Sequence, residues 1–263
     1  MPILSTALQT NLIAVVLAVF GLGIGSFLNV VVLRMNAGES IGGRSHCPHC
    51  HHQLPWFTLI PVLSYIGLGG KCFFCHKPIA VHYPLIELTT ALLFFIFTIW
   101  FIQQPVELAF YLILATICVG IFLSDYLFYT IPDALTLPGI GLAIVGQLLL
   151  GEDWWRWVLG LAIGGGLFAL QYVFSRGRWV GSGDIRLGLM MGVVLSWPNI
   201  VVGLFLAYLL GGLTVLPLLL RGQKGMKDAV PFGTFLAIAT IITVLFGDVL
   251  VQWYLYEVGL YPG

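Results

Sequence analysis

The chain has 263 residues, 59% of them hydrophobic and 8% charged, with no formal net charge and a mean hydropathy of +1.02. A water-soluble domain carries roughly a quarter charged residues, so a soluble globular fold is excluded. The neutral balance offers no basic footprint for nucleic acid, and membrane lipid is the solvent for most of this chain.

A membrane-crossing helix needs ~20 mostly apolar residues. By that measure the sequence predicts an all-α polytopic membrane protein of about eight helices. The first, 11–33, has no positively charged stretch before it, and its apolar run exceeds the ~7–15 residues of a cleavable signal. It reads as a retained span. Next come 84–102, 108–126, 133–150 and 156–174. The sixth, 184–197, is short and rich in glycine, as expected where a helix borders a polar cavity and not lipid. Segments 200–220 and 231–254 complete the set. Pro105, Pro132, Gly151, Pro198 and Pro231 mark ends, and Trp100, Trp154, Trp155, Trp157, Trp197 and Trp253 sit near ends, as interfacial belts require. Gly160 and Gly164 form a GxxxG pair suited to packing within the bundle, and the lone Cys118 reads as ordinary packing.

Eight spans place both termini on one side. The loops on the other side hold Arg34, Arg44, Lys71, Lys77, Arg176, Arg178, Arg186, Arg221, Lys224 and Lys227, ten of the eleven basic residues. Only Arg156 falls on the side of the termini. Positive loops stay in the cytoplasm, so the sequence predicts periplasmic termini and cytoplasmic basic loops.

Residues 34–83 form the one long polar stretch, giving a partition into a first span (1–33), a cysteine-rich domain (34–83) and a multi-helix membrane domain (84–263). All six histidines and four of the five cysteines fall in 34–83. The cysteines are spaced as two C-x2-C pairs, Cys47/Cys50 and Cys72/Cys75. Two such knuckles supply four soft thiolates to a tetrahedral Zn²⁺, and four thiolates close the site, making it structural. Disulfides are the alternative, disfavoured in the reducing cytoplasm. A redox CxxC is another, but no βαβ context accompanies it. His49 is the substitute ligand in a Cys₃His variant.

Most acids lie in loops or at outer span ends: Glu39, Glu107, Glu152, Asp153, Asp228, Asp248 and Glu257. Glu87, at the start of the second span within "HYPLIEL", is ambiguous. Asp133 follows Pro132 and complements a helix dipole. Asp184 does so too, but it follows Gly181-Ser182-Gly183, where glycines let another backbone approach closely. Asp125 is different, since a carboxylate at a helix C-terminus opposes the dipole. Ionisable groups at spans are costly and mark function. Asp125 ends a helix going in and Asp184 starts one going out, so both belong to the same membrane face. Two carboxylates brought together share a proton, the arrangement of an aspartic protease.

The motifs "GSFLNVVVLR" (25–34), "CPHC" with "GGKCFFCHKPIAVHYPLIEL" (47–50 and 69–88), "SDYLFYTIPDALTLPG" (124–139) and "GSGDIRLG" (181–188) occur in that order. On these residues the chain resembles the type IV prepilin peptidases, leader peptidase/N-methyltransferases of the GxGD intramembrane aspartyl protease group. The resemblance implies Asp125 and Asp184 as the catalytic pair, with Gly181, Gly183, Asp133 and Arg186 in support. Leu127 stands where relatives often carry a further acid, and His82 where arginine is common. It further implies structural zinc, S-adenosylmethionine as methyl donor, and prepilin or type II secretion pseudopilin substrates. The expected location is a bacterial inner membrane, with the active site and cysteine-rich loop cytoplasmic. No dinucleotide fingerprint locates the methyl donor. The competing readings are an intramembrane protease without methyl transfer and a proton-coupled transporter. Against the transporter, no internal repeat is visible and the acids gather at one face.

Overall fold

The structure, a computed structural model, describes residues 2–223, 225 and 229–259, with side chains from residue 8 onward. Lys224, Lys227 and Asp228 lie outside the described residues. Among those described, nine α-helices and one 3-10 turn (Trp56–Leu59) occur, with no strand beyond isolated bridges. The helices are α1 (Pro2–Ala37), α2 (Leu63–Gly67), α3 (His82–Phe101), α4 (Pro105–Phe128), α5 (Asp133–Leu150), α6 (Trp154–Ser175), α7 (Ser182–Leu195), α8 (Asn199–Leu220) and α9 (Phe232–Glu257).

Seven helices are long and apolar enough to cross a membrane, starting with the Leu8–Ala37 part of α1 and then α3, α4, α5, α6, α8 and α9. The chain is a multi-pass membrane protein. The sixth predicted segment is also a helix, α7, but its 14 residues give about 21 Å at the usual helical rise. That is short of a ~30 Å hydrocarbon core.

The chain divides into two compact units, Met1–Leu123 and Ser124–Gly263, the division falling inside α4 so that Asp125 belongs to the second. In the first unit, α1 lies along α3. A Cβ on Gly25 would stand 2.7 Å from Glu87 Cα, so only glycine permits this approach. One turn on, Asn29 donates to the Tyr83 carbonyl at 3.3 Å. At the end of α1, the Arg34 guanidinium gathers the next loop by donating to the carbonyls of Ile41, Gly42 and Arg44 at 2.8, 2.7 and 3.1 Å. Glu87 is buried, and its Oε2 accepts the Val62 amide at 2.7 Å. Val62 needs that hold. With φ 61° and ψ −49° it sits in a γ-turn closed by Leu63 N–H to Pro61 O at 2.6 Å, a rare conformation for a β-branched residue.

In the second unit, α6 and α7 meet along glycines. Gly160 and Gly164 face the backbones of Gly192 and Gly188, leaving no room for a Cβ on either side. This is the close approach that membrane helices use in place of hydrophobic driving force, and the GxxxG pair is spent inside the bundle. The C-terminus of α7 ends inside protein, so its carbonyls need partners there. Buried Gln147 of α5 supplies them, donating to Val193 O at 2.7 Å and Val194 O at 3.0 Å. Beyond it, Trp197 and Arg156 exchange hydrogen bonds, Trp197 N–H to Arg156 O and Arg156 Nε to Trp197 O, both 3.0 Å. The start of α7 carries Asp184, so these contacts fix the element that positions it.

Candidate active site and metal cluster

Asp125 sits in the last turn of α4, where its own helix dipole disfavours a negative charge. The opposing partner is the first turn of α9. Pro231 occupies the N-cap of that helix and makes no side-chain cap, so the amides of the first turn are free for a group from elsewhere. Asp125 Oδ2 takes them. It accepts the Thr234 amide at 2.7 Å and the Thr234 hydroxyl at 3.0 Å, with the Gly233 amide also turned toward the carboxylate. Asp125 thus caps α9 in trans. It is 4% exposed.

Asp184 is the third residue of α7 and 8% exposed. Its Oδ2 accepts the amide of Gly181, the N-cap, at 2.7 Å. This is half of a capping box, since glycine has no side chain to complete the other half.

The two carboxylates come close enough for each to feel the other's charge. Between the starts of α7 and α9 stands Ile131, from the short link joining α4 to α5. A Cβ on Gly183 would lie 2.8 Å from Ile131 Cβ, and one on Gly233 would lie 2.7 Å from Ile131 Cδ1 and 3.1 Å from Asp125 Oδ2. Two glycines therefore admit one isoleucine between the start of α7, which bears Asp184, and the start of α9, which holds Asp125. Tyr208 of α8 reaches the electrostatic neighbourhood of Asp184, and its hydroxyl accepts Gln171 Nε2 at 2.6 Å. It heads an aromatic group, with Phe232 at 5.0 Å and Phe168 at 6.4 Å between ring centroids.

Asp133 opens α5, as expected of a helix-start acid, and pairs with Arg186 of α7 at 2.7 Å. The four residues brought to this end of the second unit thus fall into two pairs, Asp125 with Asp184 and Asp133 with Arg186.

The cysteines are also assembled. Each C-x2-C turn folds alike: Cys47 O accepts His51 N–H at 2.9 Å, and Cys72 O accepts His76 N–H at 3.0 Å. His51 and His76 are both left-handed, φ 57° and 54°, and a bridge closes each turn, His46 with Gln53 and Lys71 with Pro78. All four sulfurs lie within 4.8 Å of one another, the Cys47–Cys75 pair at 3.9 Å, and all four thiols are free. Bonds of ~2.3 Å from a tetrahedral zinc put sulfurs about 3.8 Å apart, so the set fits a metal ion and not a disulfide. The Cys75 amide draws the Cys72 thiol down to about 7, favouring a thiolate ligand. Cys50 receives the His52 amide, yet burial and the three neighbouring sulfurs push it up to about 11. A cation is what relieves such mutual repulsion.

Thr234, Gly233 and Ile131 are functional neighbours that sequence reasoning missed. The signal was present in "PFGT" (231–234), a proline N-cap followed by a glycine, which marks a helix start open to a partner. Glu87 resolves as a buried acid holding the loop at Val62.

Comparison with known proteins gives concordant matches. Residues 19–101 match the bacterial peptidase A24 N-terminal domain, and residues 112–216 match the type IV leader peptidase family. A prepilin leader peptidase/N-methyltransferase of Myxococcus xanthus is 39% identical over 224 residues, covering 82% of this chain and 66% of its own length. The chain therefore spans about two thirds of that relative. Proteins of the same description from Pseudomonas putida and Bacillus subtilis are 33% identical over 258 residues and 31% identical over 242. These alignments cover 88% and 91% of this chain and 89% and 97% of theirs. No solved structure matches.

Proposed function

Because the chain belongs to the type IV leader peptidase family, we propose that it cleaves the leader of type IV prepilins or secretion pseudopilins with Asp125 and Asp184, then methylates the new N-terminus. The carrying observation is a pair of buried carboxylates on separate helices, in electrostatic reach of each other, each with one oxygen fixed by a backbone amide. Such a pair shares one proton. The ionised member takes a proton from water as the water oxygen attacks the scissile carbonyl, and the protonated member gives its proton to the carbonyl oxygen. Collapse of the diol breaks the C–N bond. The amine leaves with the proton first taken from water, and the other carboxyl regains its own from the diol hydroxyl.

Gly181 holds Asp184 through its amide, Gly183 makes room for Ile131 beside it, and the Asp133–Arg186 pair ties α5 to α7. The Cys47, Cys50, Cys72 and Cys75 set would hold Zn²⁺. Four thiolates leave no open coordination position, so the ion would cross-link the loop structurally. S-adenosylmethionine would supply an electrophilic methyl group to the amine released by cleavage. Counting α7, which runs antiparallel to α6, as a short eighth crossing inside the bundle, we place residues 34–83 and the carboxylates at the cytoplasmic face of a bacterial inner membrane and the termini in the periplasm, from the basic loops. In this reading 1–33 is an anchoring span, 34–83 the metal module and 84–263 the protease. The family matches do not favour a protease without methyl transfer, or a transporter.

Purified protein in lipid nanodiscs, given a prepilin with or without S-adenosylmethionine, tests this by mass spectrometry, which reads cleavage and methylation separately. Asp125→Asn and Asp184→Asn should each abolish cleavage while the protein still accumulates. Normal cleavage by either variant would remove the dyad.

A further inference from the structure

We propose that Thr234 is the positioning residue that makes the dyad asymmetric, holding Asp125 as the base toward water and leaving Asp184 to carry the proton. The inference rests on the protease reading above. Two hydrogen bonds reach Asp125 Oδ2 from the start of α9, the Thr234 amide at 2.7 Å and the Thr234 hydroxyl at 3.0 Å, with the Gly233 amide turned toward the same carboxylate. The N-terminus of α9 offsets the opposing dipole of α4 at Asp125, and Asp184 has the N-terminus of its own helix α7, so it is the hydrogen-bond donors that distinguish the two acids. Hydrogen bonds to the charged form of a carboxylate favour that form. Among the described residues, Asp184 has a single such donor, the Gly181 amide.

The other groups that face the pair do not reverse this. Asp133 of α5 is occupied by Arg186 of α7, α6 contributes the apolar ring of Phe168, and Tyr208 of α8 accepts its hydrogen bond from Gln171 and keeps its own proton to donate. Thr234 is the one member of the donor set whose contribution is a side chain, and so it can be removed without breaking the backbone. With Oδ2 engaged by α9, water meets the same carboxylate at Oδ1. That oxygen receives the proton when the O–C bond to the scissile carbonyl forms, and surrenders it to the departing amine when C–N breaks. Asp184 lends its proton to the carbonyl oxygen in the first step and recovers it in the second.

The test uses full-length protein in nanodiscs with a prepilin substrate, measuring kcat and KM across pH for Thr234→Ser and Thr234→Val. Serine keeps both donors and should stay within about twofold of wild type. Valine keeps the amide but loses the hydroxyl. Its kcat should fall about ten- to a hundredfold, as for loss of a hydrogen bond to a charged group, with KM little changed. The acidic limb of its kcat profile should move to higher pH, because the base is less well stabilised as an anion. Where valine prevents accumulation, Thr234→Ala compared with Thr234→Ser decides the same point. Valine or alanine kinetics and pH profile equal to those of serine would overturn the proposal. Cleavage surviving Asp125→Asn would instead overturn the dyad, so the two failures are distinguishable.

Discussion

Alanine at Gly183 and alanine at Gly233 both press on Ile131, but at different atoms, and the structure predicts opposite responses to truncating that isoleucine. Neither glycine has a positive φ, so space is what alanine violates. At Gly183 the new Cβ meets Ile131 Cβ at 2.8 Å, against the 3.4 Å where ordinary contact begins. The start of α7, with Asp184 one residue on, must retreat by about 0.6 Å. Better helix propensity returns up to ~1 kcal/mol, and overpacking costs ~1–3 kcal/mol, so the folded protein survives. Catalysis is less tolerant: misplacement by about 1 Å can cost ~100-fold, and a kcat loss of about tenfold or more is expected for Gly183→Ala. At Gly233 the contacts are Ile131 Cδ1 at 2.7 Å, Cγ1 at 3.0 Å and Asp125 Oδ2 at 3.1 Å. Ile131→Ala removes both carbons of that clash but keeps the Cβ that blocks Gly183. A double-mutant cycle on cleavage rate should therefore show coupling of about 1 kcal/mol or more between 233 and 131, and near zero between 183 and 131. Melting curves would control for unfolding. Equal rescue of both glycine variants by Ile131→Ala, or of neither, would refute the wedge described for Ile131.

Three further outcomes follow from other parts of the chain. Cys47→Ser combined with Cys72→Ser should strip the bound metal from purified protein, read by elemental analysis, and wild type purified without metal would sink the cluster. Glu87→Leu should leave the Val62 amide unpaired at a cost of ~1–3 kcal/mol. Limited proteolysis should then cut residues 55–70 faster, whereas Glu87→Gln, which keeps an acceptor, should behave closer to wild type. Gly164→Val should force α6 off α7, where the Gly188 backbone leaves no space for a Cβ. A loss of ~1–3 kcal/mol would appear as a lower melting temperature, and an unchanged melting temperature would argue against the seam.

The spans were legible because apolar length is a property of composition, and the knuckles because four cysteines at fixed spacing have few chemical uses. Asp125 was legible through a conflict, a carboxylate at the wrong end of its helix dipole. Its resolution was not. The donors on Thr234 lie 109 residues away, and no local spacing records which helix start will face which helix end. Ile131 was invisible for the same reason, since its role exists only where Gly183 and Gly233 converge. Glu87 was ambiguous because its partner is a backbone amide, which leaves no trace in residue identity. Asp133 read correctly as a helix-start acid, but its pairing with Arg186 depends on α5 and α7 lying side by side.

The glycine seam between α6 and α7 also fixes a depth. Gly160 opposes Gly192 and Gly164 opposes Gly188, so the antiparallel register puts Asp184 level with Phe168, seven residues before α6 ends at Ser175. At 1.5 Å per residue the carboxylate lies about 10 Å inside the end of that helix. A peptide bond reaching it from the end of α6 must be preceded by about three residues of extended chain, at roughly 3.3 Å each. A substrate that stays helical up to its junction cannot be cut, so the cost of unwinding that turn becomes part of how substrates are chosen.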